Sequence, residues 1–169
     1  MADQESSSSR SAGNASRSTA RLAAVQALYQ HAIAGTPVER IISEGIHHSF
    51  AGALDDQELV PPDRALFARI VRGVHARRDD LDGLVDGALE GSWSRDRLET
   101  LLVAILRAGC WELLDAADPP TRIVIKDYID LTHAFFAGRE PGMVNAVLDK
   151  IARRVRDDLA PAGAASTDG

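Results

Sequence analysis

Apolar residues recur along the chain at intervals of three and four and almost nowhere alternate strictly, a pattern that predicts helices and no sheet. The first stripe is Leu22, Val25, Leu28, Tyr29 and Ala32. Its helix is expected to start near Ser16 or Ser18, either of which suits an N-cap, and to end at Gly35 before Pro37. A shorter helix follows over residues 38–50, and then an acidic loop over 52–62. Asp63 opens a helix striped by Leu66, Phe67, Ile70, Val71 and Val74. Asp79 and Asp80 interrupt, and Leu81, Leu84, Val85 and Leu89 mark a short helix broken by Gly91. Ser94 opens the next, with Leu98, Leu101, Leu102, Ile105, Leu106, Leu113 and Leu114. Asp118, Pro119 and Pro120 start another, carrying Ile125, Tyr128, Ile129, Thr132, Phe135 and Phe136 up to Gly138. The run Ile123-Val124-Ile125 has strand propensity, but the helical period continues past it. Pro141 opens the last helix, with Val144, Val147, Leu148, Ile151, Val155 and Leu159. The expected fold is all-α, about seven helices in two packed small helical bundles. The halves are about 16–91 and 92–159 of a single helical domain. Residues 1–15 and 160–169 lack periodicity and are rich in small residues, so they read as a disordered arm and a disordered tail.

Composition narrows the class. The chain has 169 residues, 45% apolar and 26% charged, enough to fill one core without staples. One cysteine, Cys110, excludes an intrachain disulfide and a multi-cysteine zinc site. The first ten residues are polar, with no apolar signal region, and the longest wholly aliphatic run is residues 101–106. A cytoplasmic protein with no membrane association is the expectation. Net charge is −6, which by itself argues against nucleic acid, but no acid lies between Ser6 and Val38, where Arg10, Arg17 and Arg21 give +3 and leave −9 elsewhere. Of the 19 basic residues, all but Lys126 and Lys150 are arginine, the better partner for phosphates and bases, although codon bias also yields such a composition.

Catalytic signals are absent from the pattern. No phosphate-cradling glycine loop and no G-x-S-x-G occurs. His47 and His48 are adjacent, so on a helix they diverge and cannot share a metal as i, i+4 histidines do. His133 reads as a surface residue and Cys110 as a small hydrophobe. Asp79, Asp80, Asp82 and Asp86 lack the spacing of a calcium loop and read as a solvated face. No enzyme, cofactor or metal is expected.

Three segments stand in a telling order: the helix SRSTARLAAVQALYQ from Ser16, then I-L-R-A-G-C-W-E-L from Ile105, then M-V-N-A-V-L-D-K from Met143. Together they resemble the NusB family of bacterial transcription antitermination factors, over about residues 16–157. The resemblance implies an RNA-binding protein that recognises boxA RNA as a heterodimer with the small-subunit ribosomal protein NusE. It implies further partners in NusA, NusG and RNA polymerase, acting chiefly in ribosomal RNA operons. Some members homodimerise instead, which would cover the arginine helix. Similar domains also precede the catalytic domain of RNA cytosine methyltransferases, for which this chain is too short. The residues expected at RNA are Arg17, Arg21, Arg139 and Met143, with Tyr29 offered to the protein partner. Arg17 and Arg21 share a helix face, and each costs a few tenths of a kcal/mol against the macrodipole at a helix start, a cost that phosphate binding would offset. Core packing is the ordinary role for Tyr29 and Trp111, and a hydrogen bond to a loop backbone the favoured one for Asn145. The chain departs from the family at Ser18 and Thr19, where basic residues commonly stand, at Leu102, where the family carries an acid, and at Met143, where it usually carries Phe. A protein-interaction module with weak or lost RNA binding is therefore the alternative reading.

Overall fold

The computed structural model describes residues 2–48, 61–115 and 119–156. Seven α-helices and one short 3-10 turn account for nearly all of them: α1 (Ala2–Ala34), α2 (Val38–His48), α3 (Arg64–Ala76), α4 (Arg78–Ala88), the turn Arg95–Arg97, α5 (Thr100–Asp115), α6 (Thr121–Phe135) and α7 (Glu140–Val155). Among the described residues there is no strand. The expected tail, the acidic loop over 52–60, Asp118, Leu159 and the side chains of His47 and His48 lie outside the described residues.

α5 is the axis of the molecule. Its sequence is apolar almost all round, which is the signature of a helix buried on every side. α1, α3, α4, α6 and α7 all pack against it. α1, α2 and α3 form one bundle, and α6 and α7 form the other with α5. α4 packs on α5 and α7 more than on α3, so it joins the second bundle, although the division at Gly91 would leave it in the first.

α3 follows its sequence closely. The Asp63 carboxylate accepts from the Leu66 amide at 2.9 Å, satisfying a first-turn N–H, and all five stripe residues are buried. On its other side Gly73 meets the Trp111 indole so closely that a Cβ would lie 2.0 Å from Nε1. α4 ends at Ala88, capped by Leu89 in extended conformation, so Gly91, at φ 65°, does not break the helix but shapes the turn that follows it.

Several expectations change. The arm read as disordered is helical, continuous with α1 from Ala2, although every described side chain from Gln4 to Asn14 is exposed. Extending a helix already nucleated costs far less than starting one, so the weak helix formers Ser6, Ser7, Ser8, Ser9, Gly13 and Asn14 do not interrupt it. Ser16 and Ser18 therefore cap nothing: Ser16 Oγ donates to the Pro61 carbonyl at 2.7 Å, and Ser18 Oγ donates to the Asp127 carboxylate at 2.8 Å. The buried face of α1 is rotated from the one read off its large residues. Ala20, Ala23, Ala24, Val25, Ala27 and Leu28 are inside, while Leu22, Tyr29 and Ala32 are exposed, because small side chains let α1 approach α3 and α5 closely. Phe135, expected in the core, is 43% exposed at the end of α6, where Phe136 turns inward instead. Asp79 and Asp80 do not break a helix but form the first turn of α4, where acids suit the macrodipole.

Candidate nucleic-acid interface

Arg21 is the largest correction. It is 2% exposed, and its guanidinium is consumed inside the protein. Nε donates to both Glu112 oxygens at 3.0 and 2.9 Å, and Nη1 to Asp127 Oδ2 at 2.6 Å. The Tyr128 hydroxyl donates to Glu112 Oε2, an oxygen that also accepts from Arg21 Nε, at 2.8 Å. Burial alone would lower the Arg21 pKa, but the hydrogen bonds and charge of Glu112 outweigh it and raise it. Burial, then the charge of Glu112, pushes the Tyr128 hydroxyl well above its usual range. Arg21 thus ties α1 to α5 and α6 and offers nothing to a phosphate. Its neighbours one turn on, Ala24 and Val25, are core residues, so the helical period already placed Arg21 on the inner face.

Arg17 differs. It is half-buried and makes no ion pair among the described residues. It lies beside Ser16, whose carbonyl accepts from the Asp63 amide at 3.1 Å, so the start of α3 steadies this part of α1. Further along, Leu22, Tyr29 and Ile33 are 36%, 40% and 62% exposed and share one face of α1 by their spacing. Tyr29 therefore presents its ring to solvent rather than to the core. Trp111 is buried, with the Arg69 guanidinium 5.9 Å above its ring.

A second region lies between α4 and α7. A groove of about 530 Å³ is lined by Ala88, Trp93, Arg139, Met143, Ala146 and Val147, with Glu90 and Lys150 at its side. Arg139 is exposed, and its guanidinium stands 5.5 Å from the Trp93 ring centroid. Met143 is only 6% exposed and forms the groove's floor, so it cannot wrap a ligand as an exposed side chain would. Trp93 was not singled out by the sequence, because it falls outside any helical stripe. The turn from Glu90 to Trp93 and the ion pairs of Arg95 with Asp86 and Asp82, at 2.8 and 3.3 Å, fix its position.

The remaining candidates are settled by their surroundings. Burial pushes the Cys110 thiol up to about 12, so it is an inert core group. His133 is exposed. Asp82 is not on a solvated face: it pairs with Arg107 at 2.7 Å and is 13% exposed. Leu102 is buried at 2% and faces the core, so no partner meets it directly. Asn145 is exposed and its side chain makes no hydrogen bond among the described residues, against the expected bond to a loop. Among the described residues no helix is long and apolar enough to cross a membrane, and no three acidic, histidine or cysteine side chains gather as metal ligands.

Known proteins match this arrangement over most of its length. The chain is 45% identical over 141 residues to the transcription antitermination protein NusB of Sphingopyxis alaskensis, covering 83% of this chain and 95% of that one. It is 44% identical over 142 residues to that of Rhizobium rhizogenes, covering 84% and 89%. The fold superposes on T. maritima NusB with a TM-score of 0.67 at 28% identity, covering 81% of this chain and 90% of the other. A solved structure of antitermination factors NusB and NusE in complex with dsRNA gives a TM-score of 0.64 at 22% identity, a likeness of fold. The NusB family pattern itself matches residues 18–153, and the chain belongs to the NusB family.

Proposed function

We propose that the chain is a non-catalytic, cytoplasmic transcription antitermination factor that binds boxA RNA together with the ribosomal protein NusE. In this reading the pair joins NusA, NusG and RNA polymerase, chiefly on ribosomal RNA operons. The observation that carries it is the identity of 44–45% to proteins of that name over more than four-fifths of the chain. The geometry of α1 supports it: Arg17, a cation with no ion pair among the described residues, and an exposed apolar face at Leu22, Tyr29 and Ile33 lie on one rigid rod. Arg17 supplies phosphate contact, and Tyr29 anchors the protein partner with an amphipathic ring. A second copy of the chain is the competing occupant of that face, distinguished by its mass in solution.

The experiment is a titration of boxA RNA with the complex of this chain and NusE over a range of salt. Arg17→Ala is expected to weaken binding and reduce the salt slope by about 0.7, the value for one lost single-strand phosphate contact, with unfolding unchanged. An unchanged slope removes Arg17 from the interface. The second reading, a protein-interaction module with weak RNA binding, is favoured by the burial of Arg21 and Met143, which removes two of four expected contacts. It predicts that the complex forms and does not distinguish boxA from a scrambled sequence.

A further inference from the structure

We propose that His31 and His75 form a two-histidine site for a divalent transition-metal ion of the class that favours imidazole, such as Zn²⁺. The site stands roughly 20 Å along α1 from Arg17, so it is independent of the RNA contact proposed there. α1 and α3 run side by side, from Ser16 against Asp63 at one end to His31 against His75 at the other. Each histidine stands in the last turn of its helix. The two ring centroids are 5.1 Å apart and the planes cross at 86°. Two imidazoles on one tetrahedral ion, each at about 2.0–2.1 Å, have their centroids on the order of 5 Å apart, so an ion fits between these rings with little movement.

The His31 ring is oriented for that task. Gly35, at φ 67°, turns the chain after α1, and the Thr36 carbonyl lies 2.6 Å from His31 Nδ1. A carbonyl only accepts, so Nδ1 carries the proton and donates it. In the neutral ring Nε2 then holds the free lone pair, which is what a metal needs, and a backbone carbonyl on the other ring nitrogen is the usual support of a ligating histidine. His31 is half-buried and held, whereas His75 is exposed and free to turn towards it. The cations nearby are offset: Glu39 engages Arg72 at 2.8 Å, and Asp80 and Asp79 stand 3.7 and 3.9 Å from Arg77 and Arg78. No third histidine, cysteine or carboxylate joins the pair among the described residues, so water completes the coordination and the ion exchanges, unlike one in a closed structural site. His31 lies between the exposed Tyr29 and Ile33, so the ion pins to α3 the turn of α1 that carries them.

The test is a calorimetric titration of ZnCl₂ into the full, metal-free chain, repeated with His75→Ala and with the double variant His47→Ala/His48→Ala, which removes the other neighbouring pair of histidines. The expected result is one ion bound per chain by the parent and by the double variant, and binding at least about tenfold weaker in His75→Ala, whose exposed position leaves the fold intact. Melting temperature is expected to rise with added Zn²⁺ in the parent and to stay level in His75→Ala, because only an ion bound to the folded chain stabilises it. The imidazole NMR signals of His31 and His75 are expected to be the ones that shift. Equal binding by His75→Ala and the parent, or binding lost in the double variant, places the ion elsewhere and overturns the site. No heat up to about 1 mM Zn²⁺ leaves the two rings as a packing pair and overturns it as well.

Discussion

Arg21 shows how far a single side chain can depart from its apparent role. Its charge suggested phosphate, but its carboxylate partners lie 91 and 106 residues away in sequence, beyond anything local pattern reveals. Only its place on the inner face of the helix hinted at burial. Removing one partner from a buried, hydrogen-bonded charge group leaves the others uncompensated. Arg21→Ala is therefore expected to destabilise the fold by about 3–5 kcal/mol in urea titration, and a loss under about 1 kcal/mol would mean the network is dispensable. Arg156 plays a related part at the other end: buried and with no carboxylate partner among the described residues, it donates to the carbonyls of Leu113 and Glu112 at 2.7 and 3.0 Å, closing the C-terminus of α5. Cys110, by contrast, was legible as a small core residue. Its raised pKa makes a statement about pH. An acid whose folded pKa lies above its unfolded value contributes stability below the unfolded value and loses it as pH rises. For Cys110 the loss runs from its ordinary 9.0 to about 12. Tyr128 adds its own loss only from about its ordinary 10.0 upward. Cys110→Ala should therefore flatten the decline of melting temperature between those two ordinary values, and a slope equal to the parent's there would contradict the assignment.

At the scale of elements, legibility followed side-chain size. α3 has large residues on one face and charges on the other, with a capping aspartate, and every part of its reading holds. α1 buries mostly alanines, whose weak hydrophobic signal let Leu22 and Tyr29 define the wrong face. The end of α6 was misread for a related reason: Phe135 and Phe136 are adjacent, so the helix can bury only one, and periodicity alone did not choose. The choice is testable. Leu106, fully buried on α5, should cost about 2–5 kcal/mol when replaced by Ala. Phe135→Ala should cost about 1 kcal/mol or less, as for a partly exposed position. Denaturant midpoints of the two variants check the order, and a reversed order would put α6 in a different rotation. The candidate interface divides in the same way. Arg139 is exposed and Arg17 half-buried, whereas Met143 became a floor and Trp93, hidden in an irregular turn, became a wall.

Across the whole molecule the charge is divided rather than spread. The stretch from Ser6 to Val38 holds three arginines and no acid within a chain of net −6. The structure then withdraws Arg21 into the core, so α1 presents Arg10 and Arg17 alone. At the groove, Arg139 is the single free cation among the described lining residues. So few phosphate contacts support only modest affinity at physiological salt, because the sequence-independent part of RNA binding scales with the number of phosphates neutralised. The exposed Leu22, Tyr29 and Ile33 supply, on the same helix as Arg17, a surface for a second protein. A basic ribosomal protein seated there would extend the cationic surface, and the acidic remainder of this chain would steer it in. RNA held by one protein would then meet the other at high effective concentration. The expected outcome is that the chain alone binds boxA RNA weakly and the pre-formed complex binds it at least tenfold more tightly at one fixed salt concentration. Tyr29→Asp should abolish that gain without changing the weak binding of the chain alone, since it places a charge in the apolar contact and leaves Arg17 untouched. If the two affinities agree within a factor of about 3, under 1 kcal/mol, the sites are not coupled and α1 serves RNA or partner, but not both together.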